Sequence, residues 1–526
     1  MLPLLPALAL AVGAGVVTRL AFPAPGWWPL AIVGVATWVV SCSGRTRRGG
    51  ALVGLGYGAA FFAPLLHWSG IYVGSLPWIA LSGLEAAYLA LLGALVPAVL
   101  RLRPVIGAVG VAALWVGQEA LRARTPYGGF PWGRLAFSQV DGPLAPLAAL
   151  GGAPLVSFAV ALAGALLGVA VLQLVRRPSG QRRSGARTAV LAAAGAVLVT
   201  GSGLLVALPT SGPTVQVAGV QGNVPEPGLD FNSERRAVLD NHTALTRRLA
   251  WDVAAGRAPA PQVVIWPENA SDLDPYRAAD ARAAIDGAVD AIGVPTLVGA
   301  VLQRDDGRLT NASVVWDPRS GPGALYAKRH PVPFGEYIPN RAFFRRLSTQ
   351  VDLVNRDFAA GTAVGRLDLG PTRLGVAICF EVAYDDLVRD TVRDGADLLV
   401  VQTNNATFGY TDEAVQQLAM SRLRAIEHGR AVAHVSTVGV SAMIAPDGRV
   451  ITSSGLFVPA VLQAALPLRT QLTISDRVGG WPEAVLVAVG LVFAAASVRP
   501  GRRRRSTTLG DQPVRPTGTL TTTEAR

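Results

Sequence analysis

Leu374-Gly-Val-Ala-Ile-Cys379-Phe-Glu381 is the stretch on which the reading of this 526-residue chain turns. Its apolar run has the length and residue types of a buried strand, and Tyr384-Asp-Asp386 behind it reads as the start of a helix. A thiol placed where a strand hands over to a helix stands at a sheet edge, near helix N–H groups that favour the thiolate. Only one other cysteine exists, Cys42 in an apolar stretch, so no disulfide framework is possible. A lone buried structural cysteine is the competing explanation, and Cys379 by itself does not exclude it.

Outward from that stretch, the strand–helix pattern runs from Thr214 to about Leu468. Strands are predicted at Val215–Val220, Val263–Trp266, Thr296–Val301, Ala312–Trp316, Leu374–Ile378, Leu398–Gln402 and Val432–Ile444. Helical periodicity fills Glu234–Ala254, Tyr276–Ile292 and Glu413–His428, which together describe an α/β layered domain.

The N-terminal region is of another kind. Of 35 acidic residues only Glu85, Glu119 and Asp141 precede Pro213, and the whole chain has a mean hydropathy of +0.38. Seven apolar runs, at about 3–22, 27–43, 51–71, 76–100, 104–121, 151–175 and 188–208, are long enough to span a bilayer core as helices. An eighth runs from Trp481 to Val498. The first lacks a basic leader and is followed by similar runs, so it reads as a retained span. Basic clusters follow the even-numbered runs: Arg45 to Arg48, Arg101 and Arg103, Arg176 to Arg187, and Arg499 to Arg505. By the positive-inside rule this places both termini in the cytoplasm and the α/β domain outside. Arg122, Arg124 and Arg134 on the outer side are exceptions to the rule. The expected organisation is a helical membrane region over residues 1–212, an extracytoplasmic domain over 213–468, a linker and eighth helix over 469–498, and a basic, disordered cytoplasmic tail over 499–526. The net charge of +12 is spent on these loop clusters, which argues against nucleic-acid binding. The five histidines are scattered without ligand spacing, so neither a metal nor another cofactor is expected.

Among 47 basic residues only Lys328 is a lysine. Arginine serves wherever a generic positive charge is wanted, so a single lysine suggests a task for a compact ammonium with three donors. Compositional drift explains it equally well in isolation. Glu268 ends the apolar strand Val263-Val-Ile-Trp-Pro-Glu268-Asn269, where a carboxylate can serve as general base and later as acid. Taken alone, a capping or surface glutamate is the simpler account.

Val263-Val-Ile-Trp-Pro-Glu-Asn269, Tyr326-Ala-Lys-Arg-His-Pro-Val-Pro-Phe-Gly-Glu-Tyr-Ile-Pro339 and Gly375-Val-Ala-Ile-Cys-Phe-Glu381 together resemble, in order and spacing, the nitrilase or carbon–nitrogen hydrolase superfamily. The resemblance implies an α-β-β-α sandwich with Cys379 as nucleophile, Glu268 as general base and Lys328 as oxyanion partner, aided by the backbone N–H of Phe380. It also points to Glu336 and Glu381 as supports of the site, against a reading of plain structural charge pairing. Seven spans before such a domain and one after resemble the apolipoprotein N-acyltransferase family. Gln221-Gly-Asn223, Phe130-Pro-Trp-Gly133 and Arg424-Ala-Ile-Glu427 are smaller matches, and the Phe130 segment reads equally as an interfacial anchor. Two departures from the family pattern stand out: Asn404-Asn-Ala-Thr-Phe408 replaces an Asn-Asp-Ala-Trp-Phe pattern, and Phe380 replaces a tyrosine.

The family resemblance implies ping-pong acyl transfer in a bacterial inner membrane. The donor is a membrane phospholipid, and the acceptor is the α-amine of a diacylglyceryl-modified lipoprotein cysteine. The protein is expected to act as a monomer. A membrane-anchored amidase with the same triad is the nearest rival. A non-catalytic lipid- or partner-binding membrane protein is a rival of another class, and a transporter is disfavoured by the few ionisable residues in the spans.

Overall fold

The computed structural model describes residues 2–175, 182–225 and 234–498. The expected basic positions Arg176 and Arg177, and the whole tail from Arg499, lie outside the described residues. The chain opens with α1 (Leu4–Arg19), α2 (Pro29–Cys42), α3 (Arg47–Leu65), α4 (Ser75–Val99), α5 (Pro104–Arg122), α6 (Ala148–Val175) and α7 (Arg182–Gly201). Among the described residues, four helices are long and apolar enough to cross a membrane: Ser75–Val99, Pro104–Arg122, Ala145–Val175 and Ser184–Leu205. Leu4–Arg19, Pro29–Cys42 and Trp481–Ala496 are apolar but shorter.

The predicted third span coincides largely with α3, whose lower hydropathy has a packing cause. Gly50, Gly54 and Gly58 recur every fourth residue and form a seam against α4. A Cβ on Gly50 would stand 2.1 Å from the Gly93 carbonyl oxygen, and one on Gly54 2.1 Å from that of Leu89. Small residues at this spacing let two helix backbones touch where apolar side chains gain nothing over lipid.

The α/β region follows as β1 (Thr214–Gln221), α8 (Arg235–Ala254), β2 (Val263–Ile265), α9 (Ala279–Ile292), β3 (Thr296–Gln303), β4 (Leu309–Asp317) and β5 (Gly321–Ala327). It continues through the short α10 (Arg341–Phe344), β6 (Arg366–Leu369), β7 (Thr372–Ile378), α11 (Asp385–Arg393), β8 (Leu398–Thr403), α12 (Glu413–His428) and β9 (Val432–Ser436). Then come β10 (Ala442–Ile444), β11 (Val450–Ser453), β12 (Ala460–Pro467), α13 (Ile474–Val478) and α14 (Trp481–Val498). Two six-stranded mixed sheets result, ordered β12-β1-β2-β3-β4-β5 and β11-β10-β9-β8-β7-β6. Each has a parallel trio, β1-β2-β3 and β7-β8-β9, flanked by antiparallel strands.

The strand period of two sorts side chains between layers. Val215 and Val217 of β1 meet Leu374, Val376 and Ile378 of β7 in the core between the sheets. Ala218 and Val220 point outward to a second core with Leu239 of α8 and Ile285 of α9. On the far side, α11 and α12 cover the other sheet, and their Val388, Met420 and Leu423 belong to the same apolar cluster as the helical bundle. The layers are therefore α-β-β-α, with the bundle packed on the outer helix layer. The predicted Val432–Ile444 strand is two, β9 and β10 in an antiparallel pair. Strands β5, β6, β11 and β12 escaped the sequence reading, β5 because it opens Gly-Pro-Gly.

The membrane-region acids are tied to arginines. Glu85 accepts from Arg122 at 3.0 Å with both side chains buried. Arg122 also donates to the carbonyls of Trp132 at 2.5 Å and Phe130 at 3.2 Å, so this pair holds the α5–α6 loop. Glu119 accepts from Trp115 Nε1 and the Leu135 amide, each at 3.0 Å. Arg134 lies 3.6 Å from Glu119 and 2.8 Å from Asp385, joining the loop to the α/β region. Asp385 also accepts from Arg424 at 2.7 Å, and the two guanidiniums outweigh its burial and hold its carboxyl below the ordinary range.

Arg122→Met is expected to leave Glu85 as an uncompensated buried charge and to cost about 3–5 kcal/mol, read as a lower thermal unfolding midpoint in detergent. Pairing it with Glu85→Met should return part of that loss, since the second change removes the orphan charge.

Candidate active site

Each residue of the predicted triad sits just past the end of a strand, where the backbone leaves the sheet. Glu268 follows β2, Lys328 follows β5 and Cys379 follows β7. Cys379 adopts φ +55°, an uncommon region for a residue with a Cβ, and opens a single 3₁₀ turn through Ala383. Such strain at the point where a strand turns into a helix presents the side chain away from the sheet.

The Lys328 ammonium is 2% exposed and lies between two carboxylates, 3.2 Å from Glu268 Oε1 and 2.9 Å from Glu336 Oε2. Asn311 of β4 binds the same pair, its Nδ2 donating to Glu268 Oε1 at 2.7 Å and to Glu336 Oε1 at 2.9 Å. The Asn404 amide donates to Glu268 Oε2 at 2.8 Å, and the Val332 amide to Glu336 Oε2 at 2.7 Å. Burial works against the charged lysine, but Glu268 and Glu336 overcome it and hold its pKa well above the ordinary lysine value.

Glu381 does something different. Its carboxylate accepts from the Tyr326 hydroxyl (2.9 and 3.0 Å) and from the amides of Arg329 (2.7 Å), His330 (3.1 Å) and Ile378 (2.8 Å). It thereby staples the turn around Cys379 to the segment that follows Lys328. Burial raises its pKa, while these donors oppose the rise.

The Cys379 sulfur receives Gln417 Nε2 at 3.6 Å and lies 3.4 Å from Thr403 Oγ1, whose one proton is directed to Gln417 Oε1 at 2.8 Å. Burial pushes its pKa up to about 12; Glu268 adds to the rise and Lys328 opposes it. At neutral pH the resting group is a thiol. Glu268 is the carboxylate whose field the thiol feels most.

Phe380 lies flat against an aromatic wall from the bundle. Its ring stacks on Trp132 at 5.9 Å and Phe130 at 5.4 Å, and Tyr384 meets it edge-on at 5.4 Å. Trp68 packs on Trp132 at 5.1 Å and on Phe408 at 5.0 Å. The Phe130-Pro-Trp132 segment thus belongs to the site, although the sequence reading had left it outside. Asn311, Tyr326, Thr403, Asn405, Glu413 and Gln417 were missed as well. Their one signal was polarity where periodicity demands apolar residues, as with Asn311 inside β4 and Gln416-Gln417 on the buried face of α12.

Asn405, at one departure from the family pattern, donates to Glu413 Oε2 at 2.6 Å. An aspartate there would set carboxylate against carboxylate, so Asn405 and Glu413 suit one another. Burial raises Glu413 to about 8, against the bond from Asn405 and with a further push from Glu268.

The chain is similar to known proteins along most of its length. A carbon–nitrogen hydrolase profile matches residues 216–472, so the two-sheet sandwich carrying Glu268, Lys328 and Cys379 is a carbon–nitrogen hydrolase domain. The profile of the apolipoprotein N-acyltransferase N-terminal domain matches residues 14–166. An apolipoprotein N-acyltransferase of Mycolicibacterium smegmatis is 43% identical over 95% of this chain and 88% of its own. One of Azotobacter vinelandii is 33% identical over 94% of this chain and 95% of its own. A solved amidase from Nesterenkonia sp. shares 18% identity over 50% of this chain and 94% of its own, with a TM-score of 0.35, too loose a likeness to argue from. The chain belongs to the apolipoprotein N-acyltransferase family and is an acyltransferase.

Iodoacetamide alkylation of Cys379, followed by mass spectrometry, is expected to rise about tenfold per pH unit from pH 7 to 10 without a plateau. A plateau near neutrality would mean a thiolate at rest and would remove the need for a base.

Proposed function

We propose that this acyltransferase moves an acyl chain from a membrane phospholipid to the α-amine of a lipoprotein's S-diacylglyceryl cysteine by a ping-pong route. Glu268 takes the thiol proton as Cys379 Sγ attacks the ester carbonyl. The Lys328 ammonium and the Phe380 N–H stabilise the tetrahedral oxyanion. On collapse the C–O bond breaks, the proton passes from Glu268 to the departing glycerol oxygen, and a thioester and a lysophospholipid remain. The acceptor amine then attacks the thioester, Glu268 takes its proton, and the amide forms as the C–S bond breaks. That proton returns to the sulfur.

The observation that carries this reading is the seam position of the site. Phe380, next to the nucleophile, stacks on Phe130 and Trp132 from the helical bundle, so the wall beside Cys379 is apolar and continuous with the bundle. Withdrawing a lipid chain into water costs about 0.8 kcal/mol per CH₂, and a site on that seam avoids the extraction. An apolar wall also keeps water from the thioester, the property that separates transfer from hydrolysis. In the same reading the bundle crosses a bacterial inner membrane eight times, with α1–α7 and α14 as spans. The α/β domain faces outward, both termini face the cytoplasm, and the protein works as a monomer. Glu336 and Glu381 support the triad without reacting.

Intact-protein mass spectrometry after mixing the detergent-purified protein with phospholipid should show a thioester-labile acyl adduct that Cys379→Ser lacks. A diacylglyceryl-cysteine peptide should discharge it. Absence of the adduct in folded protein, with turnover of a small amide, would favour an amidase instead. Lys328→Met is expected to slow adduct formation by about 10²–10³ or more, because it removes an oxyanion donor and leaves Glu268 facing Glu336.

A further inference from the structure

The hydrogen-bond inventory around the Cys379 sulfur leaves little freedom. Asn405 has two amide protons; one goes to Glu413 Oε2 at 2.6 Å and the other to Gln417 Oε1 at 3.1 Å. Its own oxygen accepts from Ser436 Oγ at 2.5 Å, and the Gly439 amide in turn donates to that hydroxyl oxygen at 2.7 Å. A Cβ on Gly439 would fall 2.2 Å from Asn405 Oδ1, so only glycine admits this arrangement. With the Glu413 and Gln417 oxygens on one side and the Ser436 hydroxyl, held by the Gly439 amide, on the other, the Asn405 amide donates to the first pair and accepts from the second. Gln417 is fixed by the same logic. Its Oε1 accepts from Asn405 and from Thr403 Oγ1 at 2.8 Å, which turns its NH₂ group onto the sulfur.

We propose that Gln417 is a further catalytic residue, a donor to the Cys379 thiolate as Glu268 removes the proton, and that Glu413 and Asn405 are positioning residues that fix its orientation. This rests on Cys379 being the nucleophile of the proposed reaction. The titratable groups facing the sulfur are Glu268 after β2, Lys328 after β5 and Glu413 on α12. Both carboxyl groups oppose the thiolate when ionised, and a neutral amide donor offsets them without neutralising the base. Once the sulfur is acylated it carries no charge, so the bond to Gln417 weakens and the donor does not trap the intermediate.

The test is the alkylation rate of Cys379 in the full-length detergent-purified protein, with iodoacetamide and with the bulkier N-ethylmaleimide. It reads the thiol directly and needs no acyl transfer, so its failure is distinct from failure of the acyl-adduct experiment. Gln417→Met keeps the side chain's length and neutrality and removes the donor. It should lower the rate at least about tenfold at each pH, by the same factor for both reagents, since one pKa unit corresponds to a tenfold change in thiolate fraction. Wild-type rates in folded Gln417→Met protein would overturn the proposal, as would a loss for the larger reagent alone, which marks packing. Should that variant not fold, Asn405→Leu, which adds no charge beside the sulfur, decides. Losing the bond to Gln417 Oε1 should lower both rates in the same direction by a smaller factor, and unchanged rates would sink the positioning chain.

Discussion

A buried ammonium is the constraint from which the site follows. Lys328 is removed from water, and a charge in that position survives only if opposite charge and hydrogen bonds replace its hydration. Two carboxylates, Glu268 and Glu336, therefore come inside with it, leaving the trio with one negative charge. Those carboxylates need donors in turn, which Asn311 and the amides of Val332 and Asn404 provide. Each donor lies where a strand or loop end has to be held still, so satisfying one lysine fixes the ends of β2, β4, β5 and β8 together. Cys379 is held in register with them by Glu381, which binds both flanks.

The same economy of buried charge links bundle and domain. Arg122 answers Glu85 and also grips the carbonyls on either side of Pro131, while Arg134 bridges Glu119 and Asp385. Arg424 then connects Asp385 to the turn after Cys379, donating to the carbonyls of Val382 at 2.9 Å and Ala383 at 3.0 Å. Two sets of charge-assisted contacts, joined by the backbone between Trp132 and Arg134, run from the middle of α4 to that turn. Glu85, Glu119, Arg122 and Arg134 are accounted for by this bracing.

Much of this was readable before any coordinates. Periodicity placed seven strand regions and three long helices, because buried strands and amphipathic helices write their environment into the sequence. The single lysine, the strand-end cysteine and the glutamate closing an apolar run each have a plainer reading alone; only the resemblance of their three motifs to carbon–nitrogen hydrolases joins them as a candidate triad. Illegible were features whose meaning is a pairing. Asn311 looks like an ordinary polar residue until Glu268 and Glu336 stand opposite it, and Glu413 like a helix-start acid until Asn405 meets it. The edge strands β6 and β11 were hidden because short, half-exposed segments carry little apolar alternation. The glycine seam of α3 lowered its apolar signal while raising its fitness for tight packing.

Arg122 gives the protein a dependence that its two-part layout conceals. The loop it fixes supplies Phe130 and Trp132, which form the wall on which Phe380 rests. The bundle is thus more than a neighbour packed on the α/β domain; its loop forms one wall beside Cys379. Excision of the domain as a separate fragment would expose Phe380 and that side of Cys379 to water. In this chain modularity ends at the aromatic seam, where neither region can alter its face without remaking the other's.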